Sequence, residues 1–242
     1  GFKVFGIQTS IESLAHDRNR KVFFELIADG KYFFDAPPLF WIGTDGFSSD
    51  RMRRLGKAGD IKSLLRVCSD VHSFGFRGFH YWIVTDAESD WADFLNELFI
   101  LRACTDNFPN SFYVLPNAAS LIPYPSTAIY RKRVQAELTD RIVLKRILKL
   151  EGMPEFDYPL VFHERPSSNY LYALVEPRAD TSERVLADAW RFLRLVRESR
   201  IQEAICEALR LMTIEMAQES NLDRRKELDA IRERILADWS FH

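Results

Sequence analysis

The chain has 242 residues, and its 33 lysines and arginines nearly balance its 35 aspartates and glutamates, so the formal net charge at pH 7 is −2. This balance argues against a nucleic-acid-binding protein that works through a broad basic surface. No apolar run approaches the roughly 20 residues that a membrane-spanning helix needs. We therefore expect neither a nucleic-acid partner nor a membrane partner.

The first part of the chain alternates strand-like and helical patterns. An apolar run, Phe2–Ile7, ends in the polar trio Gln8-Thr9-Ser10, and a helical pattern follows over residues 19–29. The next predicted strand, Leu39–Ile42, ends in Gly43-Thr44-Asp45-Gly46. Ser48 or Ser49 is a suitable N-cap for a short helix, because a serine side chain can accept a hydrogen bond from the first turn.

The alternation continues to residue 117. Asp60 is expected to start a helix that Gly75 ends, and the strand Phe79–Val84 then ends at Thr85-Asp86. A further helix begins near residues 86–90, where acidic side chains suit the positive end of a helix. The fourth predicted strand is Phe112–Asn117, with Pro116 placed at its end because proline has no N–H to donate.

Polar residues stand at the carboxyl end of each predicted strand. Repeated strand–helix units imply parallel strands with right-handed crossovers, in either a barrel or a doubly wound sheet. Ligand sites in both architectures gather at the carboxyl ends of the strands. One such cluster alone is more typical of a turn or helix cap, but four in succession favour a common pocket.

The character of the chain changes after the fourth strand. Residues 158–162 and 170–175 have strand-like patterns, whereas residues 182–216 and 222–239 predict two helices. We divide the chain into residues 1–137 (the later part of a barrel), 138–180 (a mixed α/β extension) and 181–242 (C-terminal helices). The three cysteines, Cys68, Cys104 and Cys206, are widely spaced. This is neither a disulfide framework nor a metal-ligand spacing, so no metal ligands are assigned and a reducing cytoplasm is expected.

Three segments together resemble a known superfamily. They are Ile42–Lys57, which ends in Leu55-Gly56-Lys57; Phe74-Gly75-Phe76 before a strand; and Leu121–Tyr130, which includes Pro123-Tyr124-Pro125-Ser126-Thr127. They are similar to the second half of the barrel of radical S-adenosylmethionine (radical SAM) enzymes, most of all the branch whose members often also carry a cobalamin-binding domain. Ser126 stands where that family usually has glycine. The resemblance implies an α/β fold, a partial (β/α) barrel of parallel strands followed by a helical C-terminal region.

The resemblance also implies cofactors. Members of the superfamily bind S-adenosylmethionine beside a [4Fe–4S] cluster held by a C-x-x-x-C-x-x-C motif, and the chain has no cysteines at this spacing. Because thiolates are the ligands of such clusters, either the motif lies in a segment that precedes Gly1, or the barrel is a degenerate one without a cluster. The abrupt start on an apolar strand favours the first alternative, with the motif roughly 30 to 60 residues upstream, the usual length of a strand–helix–strand unit. Cobalamin is a further candidate cofactor.

Site residues follow from the resemblance by position. The strand ends would contribute to S-adenosylmethionine binding through seven residues: Gln8, Thr9, Thr44, Asp45, Thr85, Leu115 and Asn117. A carboxylate such as Asp45 can accept hydrogen bonds from both ribose hydroxyls, although a purely structural role for Asp45 fits equally well. For Asp86, a role as helix N-cap is favoured over a ligand contact. No catalytic residue is assigned.

The complete enzyme would cleave S-adenosylmethionine reductively and use the resulting 5′-deoxyadenosyl radical to modify a small-molecule or peptide substrate. The chain's partner would be the missing N-terminal segment or another chain. Two other classes stay open. One is a cluster-free barrel that acts as a hydrolase or lyase through Asp45, Asp86 and a histidine. The other is a non-enzymatic barrel that binds a partner through its C-terminal helices.

Overall fold

A computed structural model of the chain describes residues 6–29, 38–86, 89–117, 142–143, 159–160, 171 and 182–239. The main sheet consists of β1 (Ile7–Ser10), β2 (Leu39–Asp45), β3 (Arg77–Ile83) and β4 (Phe112–Asn117), and a small antiparallel pair consists of β5 (Ile142–Val143) and β6 (Pro159–Leu160). The helices are α1 (Ile11–Leu14), α2 (Asp17–Asp29), α3 (Ser49–Arg54), α4 (Ile61–Ser73), α5 (Trp91–Asn107), α6 (Glu183–Arg197), α7 (Ile201–Gln218) and α8 (Leu222–Trp239).

The main sheet is parallel, and its strands lie side by side in chain order, β1-β2-β3-β4. Helices connect each strand to the next. In a doubly wound sheet the strand order reverses at a switch point, and no reversal occurs among these four strands. The sequential order is the one expected for part of a barrel wall, and the predicted α/β class with a helical C-terminal region is confirmed.

One face of the sheet packs against the helices. Buried and half-buried residues alternate strictly along β2, as expected when successive side chains point to opposite faces. The Phe40 ring lies 5.2 Å from that of Phe24 in α2, and the Trp82 ring stacks 5.8 Å from that of Phe94 in α5. These contacts place the main apolar core between the sheet and the helices.

Side-chain caps define the starts of α3, α4 and α5. Ser48 Oγ accepts from the Arg51 N–H at 3.1 Å and begins α3, and Asp60 begins α4 as predicted. The N-cap of α5 is Asp90, which accepts from the Asp93 N–H at 2.8 Å. The prediction that Asp86 caps this helix was wrong, because the Asp86 carboxylate is engaged by Arg51 instead.

The C-terminal region contains one more helix than the pattern predicted. Residues 182–216 form two helices, separated at Ser199, whose φ is +58°. The Arg200 N–H donates to Leu195 O and the Ser199 N–H to Val196 O, both at 2.9 Å, which is the Schellman arrangement that ends helices. Because glycine is the usual residue at this position, the serine gave no sequence signal that the helix ends here. The predicted helix over residues 222–239 is confirmed.

The C-terminal helices pack onto the α/β part of the chain. The Phe192 ring in α6 lies 5.3 Å from that of Phe94, and Trp91 Nε1 donates to Glu215 Oε2 of α7 at 3.0 Å. Of the strand predicted over residues 170–175, only Leu171 is described, and it is helical and buried. The segment Leu121–Tyr130 and the run Phe2–Phe5 lie outside the described residues.

Among the described residues, no helix combines the length and the apolar character that crossing a membrane would require.

Candidate functional site

The carboxyl end of β2 has an unusual backbone. Asp45 has a φ of +61°, and the pairing with β3 shifts register between Gly43 and Asp45. Lys57 Nζ lies 2.7 Å from Asp45 Oδ2 and 3.8 Å from Glu12 Oε1, and all three side chains are about a quarter exposed. A non-glycine residue in the left-handed region costs free energy and persists only where its surroundings hold it. The ion pair with Lys57 supplies such a restraint.

The seven predicted cofactor contacts fall on different faces of the sheet. Gln8 pairs in register with Trp41, and Leu115 with Tyr81, so both lie on the face away from the helices, which we call the open face. Thr9 pairs in register with Ile42 and therefore lies on the helix-facing side. The other four predicted contacts are Thr44 on the helix-facing side, Asp45 and Asn117 at strand ends, and Thr85 just after β3, where it is almost fully buried.

Thr44 takes part in a buried hydrogen bond. Its Oγ1 lies 2.8 Å from His80 Nδ1, and neither residue is more than 1% exposed. Burial lowers the pKa of His80 to about 3, so its imidazole is neutral at physiological pH. Cys68 Sγ approaches the other ring nitrogen at 3.9 Å. Thr44 and His80 therefore form a buried structural contact on the helix-facing side of the sheet, opposite the face that carries Gln8.

A buried arginine connects the segments that follow β2 and β3. Arg51 is fully buried in α3, and its Nε lies 3.0 Å from Asp86 Oδ2. Its other two nitrogens donate to Ser89 Oγ at 2.5 Å and to Ile83 O at 2.8 Å. Because Asp86 and Ser89 follow β3 whereas Arg51 follows β2, this guanidinium fixes two neighbouring strand ends relative to one another.

Glu97 in α5 completes this arrangement. Its carboxylate is fully buried and accepts from Phe47 N at 2.6 Å, Ser48 N at 3.3 Å and Trp82 Nε1 at 2.8 Å, with Arg51 Nη1 3.8 Å away. Burial raises the pKa of Glu97, whereas Arg51 and the N–H donors oppose that rise. A Cβ at Gly46 would lie 2.5 Å from Arg51 Cγ, so glycine is required there.

Sequence reasoning did not identify Arg51 and Glu97 as partners. A signal existed for Glu97, since it stands three residues after Phe94 and four before Leu101, within the apolar stripe of α5. A carboxylate on the buried stripe of a helix implies a buried partner, because an unpaired charge there is too costly. The identity of that partner, 46 residues away in the chain, could not be inferred without the fold.

The described residues do not supply ligands for an iron–sulfur cluster. Cys68 and Cys104 are buried in α4 and α5, and Cys206 is exposed on α7. Within the described part of the chain, no group of three histidine, cysteine, aspartate or glutamate side chains is arranged to hold a metal ion. A cluster would therefore need thiolates from outside the described residues.

Aromatic side chains line the open face of the sheet. Trp41 and Phe79 stack with ring centroids 5.3 Å apart, and Phe79 and Tyr113 stack at 4.9 Å. We call these three residues the aromatic row; they are half-buried and come from three adjacent strands. A Cβ at Gly6 would lie 3.0 Å from Trp41 Nε1, so the glycine leaves room for the indole.

No protein-family model matches the chain, and no curated protein matches it. It is similar in fold to two solved structures of the cobalamin-dependent S-adenosylmethionine radical enzyme OxsB, one with aqua-cobalamin bound and one with aqua-cobalamin and S-adenosylmethionine bound. The TM-scores are 0.53 and 0.52, the sequence identities 12% and 11%, and each comparison covers 98% of this chain. The chain spans 43% and 42% of the length of the two OxsB chains. At this identity the likeness is one of fold.

Proposed function

We propose that this chain is part of a radical SAM enzyme, in which it forms the later strands of the barrel and contributes to the S-adenosylmethionine site. The observation that carries the proposal is the sequential parallel sheet, in a chain of which 98% matches the fold of a cobalamin-dependent radical SAM enzyme. The motifs in Ile42–Lys57 support the same superfamily independently of the fold comparison.

The proposed S-adenosylmethionine site lies at the carboxyl ends of the strands. Asp45 would accept hydrogen bonds from the two ribose hydroxyls, with its carboxylate held by Lys57 at 2.7 Å. Gln8 on the open face would donate to the methionine end of the cofactor. Leu115 and Asn117 would flank the adenine, with backbone groups of β4 reading its edge. Thr9, Thr44 and Thr85 would then act as supports rather than contacts.

In enzymes of this class, the cluster supplies the electron that cleaves S-adenosylmethionine and so starts the radical reaction. The described residues of this chain do not hold that group, and its three thiolates would come from a preceding segment or a partner. Cobalamin is retained as a second candidate cofactor on the same resemblance. The contribution of this chain would be to orient S-adenosylmethionine and the substrate and to keep water away from them with the aromatic row on the open face.

The test uses the natural full-length polypeptide that contains this chain, purified and reconstituted without oxygen. We expect about four iron and four sulfide ions per chain, a brown colour, and formation of 5′-deoxyadenosine and methionine when a reductant is added. Colourless protein that binds neither iron nor S-adenosylmethionine would contradict the proposal.

Asp45→Asn provides a residue-level prediction for the same site. A hydrogen bond to a charged acceptor contributes about 1.5–3 kcal/mol, so the Kd for S-adenosylmethionine should rise roughly ten- to a hundredfold. Asp50→Asn is the matched control, because Asp50 is 73% exposed and pairs only with the exposed Arg53 among the described residues. Isothermal titration of both variants makes the comparison. Equal affinities of the two variants for S-adenosylmethionine would show that Asp45 does not contact it.

The hydrolase or lyase alternative gains no support from the described contacts. Asp86 pairs with Arg51, and His80 lies on the helix-facing side, whereas Asp45 pairs with Lys57. These three groups therefore have separate partners and do not converge on one substrate position. Zinc and manganese analysis of the purified protein would test this alternative directly.

A further inference from the structure

The side chains on the open face of the sheet form three layers: the aromatic row, a middle layer and the strand ends. Two residues beyond the aromatic row, the register places Gly43, Tyr81 and Leu115 side by side. Ile83 and Asn117 pair at the ends of β3 and β4. Since a strand rises about 3.3 Å per residue, the aromatic row lies roughly 13 Å below the strand ends. This depth leaves a middle layer beneath the proposed S-adenosylmethionine site.

The middle layer contains space and a polar group. Gly43 has no side chain, and among the described residues a Cβ added there would meet only Thr9 O, at 3.7 Å. Beside it, Tyr81 is half-buried, and its ring lies 6.1 Å from that of Trp41. Within the described part of the chain, the Tyr81 hydroxyl makes no hydrogen bond. A phenol in such a place can donate to or accept from a ligand.

The aromatic row presents ring edges to this space. Phe79 has Trp41 stacked on one side and Tyr113 on the other, with interplanar angles of 28° and 14°. With both faces covered, the edge of the ring is the part left to make further contact. Ring edges carry partial positive charge and attract the negative face of another aromatic ring in a T-shaped contact. The aromatic row therefore favours contact with a flat, π-electron-rich group.

Charge at this level favours the same kind of ligand. Between the aromatic row and the strand ends, the described strand residues on the open face are uncharged. Asp45 lies above this level and is paired with Lys57 at 2.7 Å. A phosphate or carboxylate placed here would lose its hydration without gaining a charged partner.

We infer that the middle layer binds an uncharged aromatic or heteroaromatic ring of the substrate, which rests on the aromatic row in the gap at Gly43 and is hydrogen-bonded by the Tyr81 hydroxyl. The inference rests on the proposed function, since it assigns a substrate class to the same open face. It distinguishes this pocket from one built for a phosphorylated or carboxylated group.

The experiment compares two matched probes, indole and indole-3-carboxylate, with the full-length natural polypeptide. The protein is labelled with 5-fluorotryptophan, and the Trp41 fluorine resonance is assigned with Trp41→Phe. We expect indole to shift the Trp41 resonance saturably at millimolar concentration, and the carboxylate to bind at least tenfold more weakly. S-adenosylmethionine binding is measured on the same samples by isothermal titration.

Three variants and one control localise the probe. Gly43→Val should weaken indole binding more than tenfold by filling the gap, and Gly43→Ala should weaken it less, since the smaller side chain fits without a clash. Tyr81→Phe should weaken it roughly three- to tenfold, the effect of one lost hydrogen bond. Trp190→Phe, at an aromatic residue that is 66% exposed on α6, should leave it unchanged.

The results separate this inference from the proposed function. A protein that binds S-adenosylmethionine but shows no Trp41 response to indole, or an equal response to the carboxylate, overturns the inference alone. A Trp41 response that Gly43→Val and Tyr81→Phe leave unaltered also overturns it. A protein that binds indole at Trp41 but no S-adenosylmethionine supports a ring-binding pocket and contradicts the proposed function.

Discussion

At the scale of single residues, the contacts between Arg51 and Glu97 organise the strand ends. Glu97 accepts three N–H donors and lies 3.8 Å from a guanidinium that is itself fully buried. Each donor on this carboxylate belongs to β3 or to the segment after β2. Loss of the carboxylate would therefore loosen two strand ends at once, in addition to leaving a buried cation with one partner fewer.

Glu97→Gln tests this role. The amide would set its NH₂ group against at least one N–H donor, and a broken buried pair costs about 3–5 kcal/mol, so we expect a loss of unfolding free energy of at least about 2 kcal/mol. Arg102→Gln on the same helix is the control, because the Arg102–Asp106 pair at 3.5 Å is partly exposed and should contribute less than about 1 kcal/mol. Urea denaturation measures both. Equal unfolding free energies for the two variants would show that the buried contacts of Glu97 contribute no more than the exposed pair of Arg102.

His80 gives a pH dependence with a definite sign. Burial lowers its folded pKa to about 3 from an ordinary 6.5, so between these values the unfolded chain binds a proton that the folded chain does not. Stability is therefore lost as pH falls through this window, by about 2 kcal/mol at pH 5. His80→Gln should remove this part of the loss between pH 7.5 and pH 5, and His16→Gln, at an exposed histidine, should retain it. Identical pH profiles for wild type and His80→Gln would contradict the prediction.

Residue identities predicted the strand ends better than they predicted which side chains face a ligand. Thr44 stands two residues after buried Ile42, so the period of a strand already places both on one face. The positive φ of Asp45 has no sequence signal, because it arises where β2 and β3 shift register. Which of the strand-end residues touch S-adenosylmethionine stays a prediction.

At the scale of elements, α6 connects the C-terminal helices to the rest of the core. Phe192 is fully buried against Phe94, whereas Trp190, two residues earlier, is 66% exposed. Phe192→Ala should cost about 3–5 kcal/mol, and Trp190→Ala should stay within about 0.5 kcal/mol of wild type. Chemical denaturation should show a single transition that shifts as a whole. A second transition that alone responds to Phe192→Ala would mean that residues 181–242 unfold as a separate unit.

Helix starts were predictable because Ser48 and Asp60 are residues whose side chains cap helices. The break at Ser199 was not, since it depends on a left-handed serine stabilised by its neighbours. Asp86 and Asp90 illustrate the same limit. Both residue types suit a helix start. Because Asp86 forms an ion pair with the buried Arg51, Asp90 is the N-cap of α5.

At the scale of the whole molecule, the alternation of strands and helices predicted the parallel sheet. It did not distinguish a barrel from a doubly wound sheet. The order β1-β2-β3-β4, without a reversal, fits the barrel. That order depends on contacts between segments, which no local pattern contains. In the described part of the chain, β1 pairs with β2 alone, so one side of β1 carries backbone groups without a strand partner. An unpaired edge of a parallel sheet is a site for strand addition.

Hydrogen exchange in the full-length natural polypeptide tests whether the barrel wall continues past β1. If a further strand pairs with β1, as the proposed role in a larger barrel implies, amides on both sides of Ile7–Ser10 are hydrogen-bonded. They should then exchange as slowly as those of Leu39–Asp45, which has strand neighbours on both sides. If β1 is the edge, the N–H groups that point away from β2 are open to solvent and should exchange far faster. Mass spectrometry of peptides covering the two strands gives the rates. Fast exchange confined to β1 would make this strand a true edge and would contradict the proposed completion of the barrel.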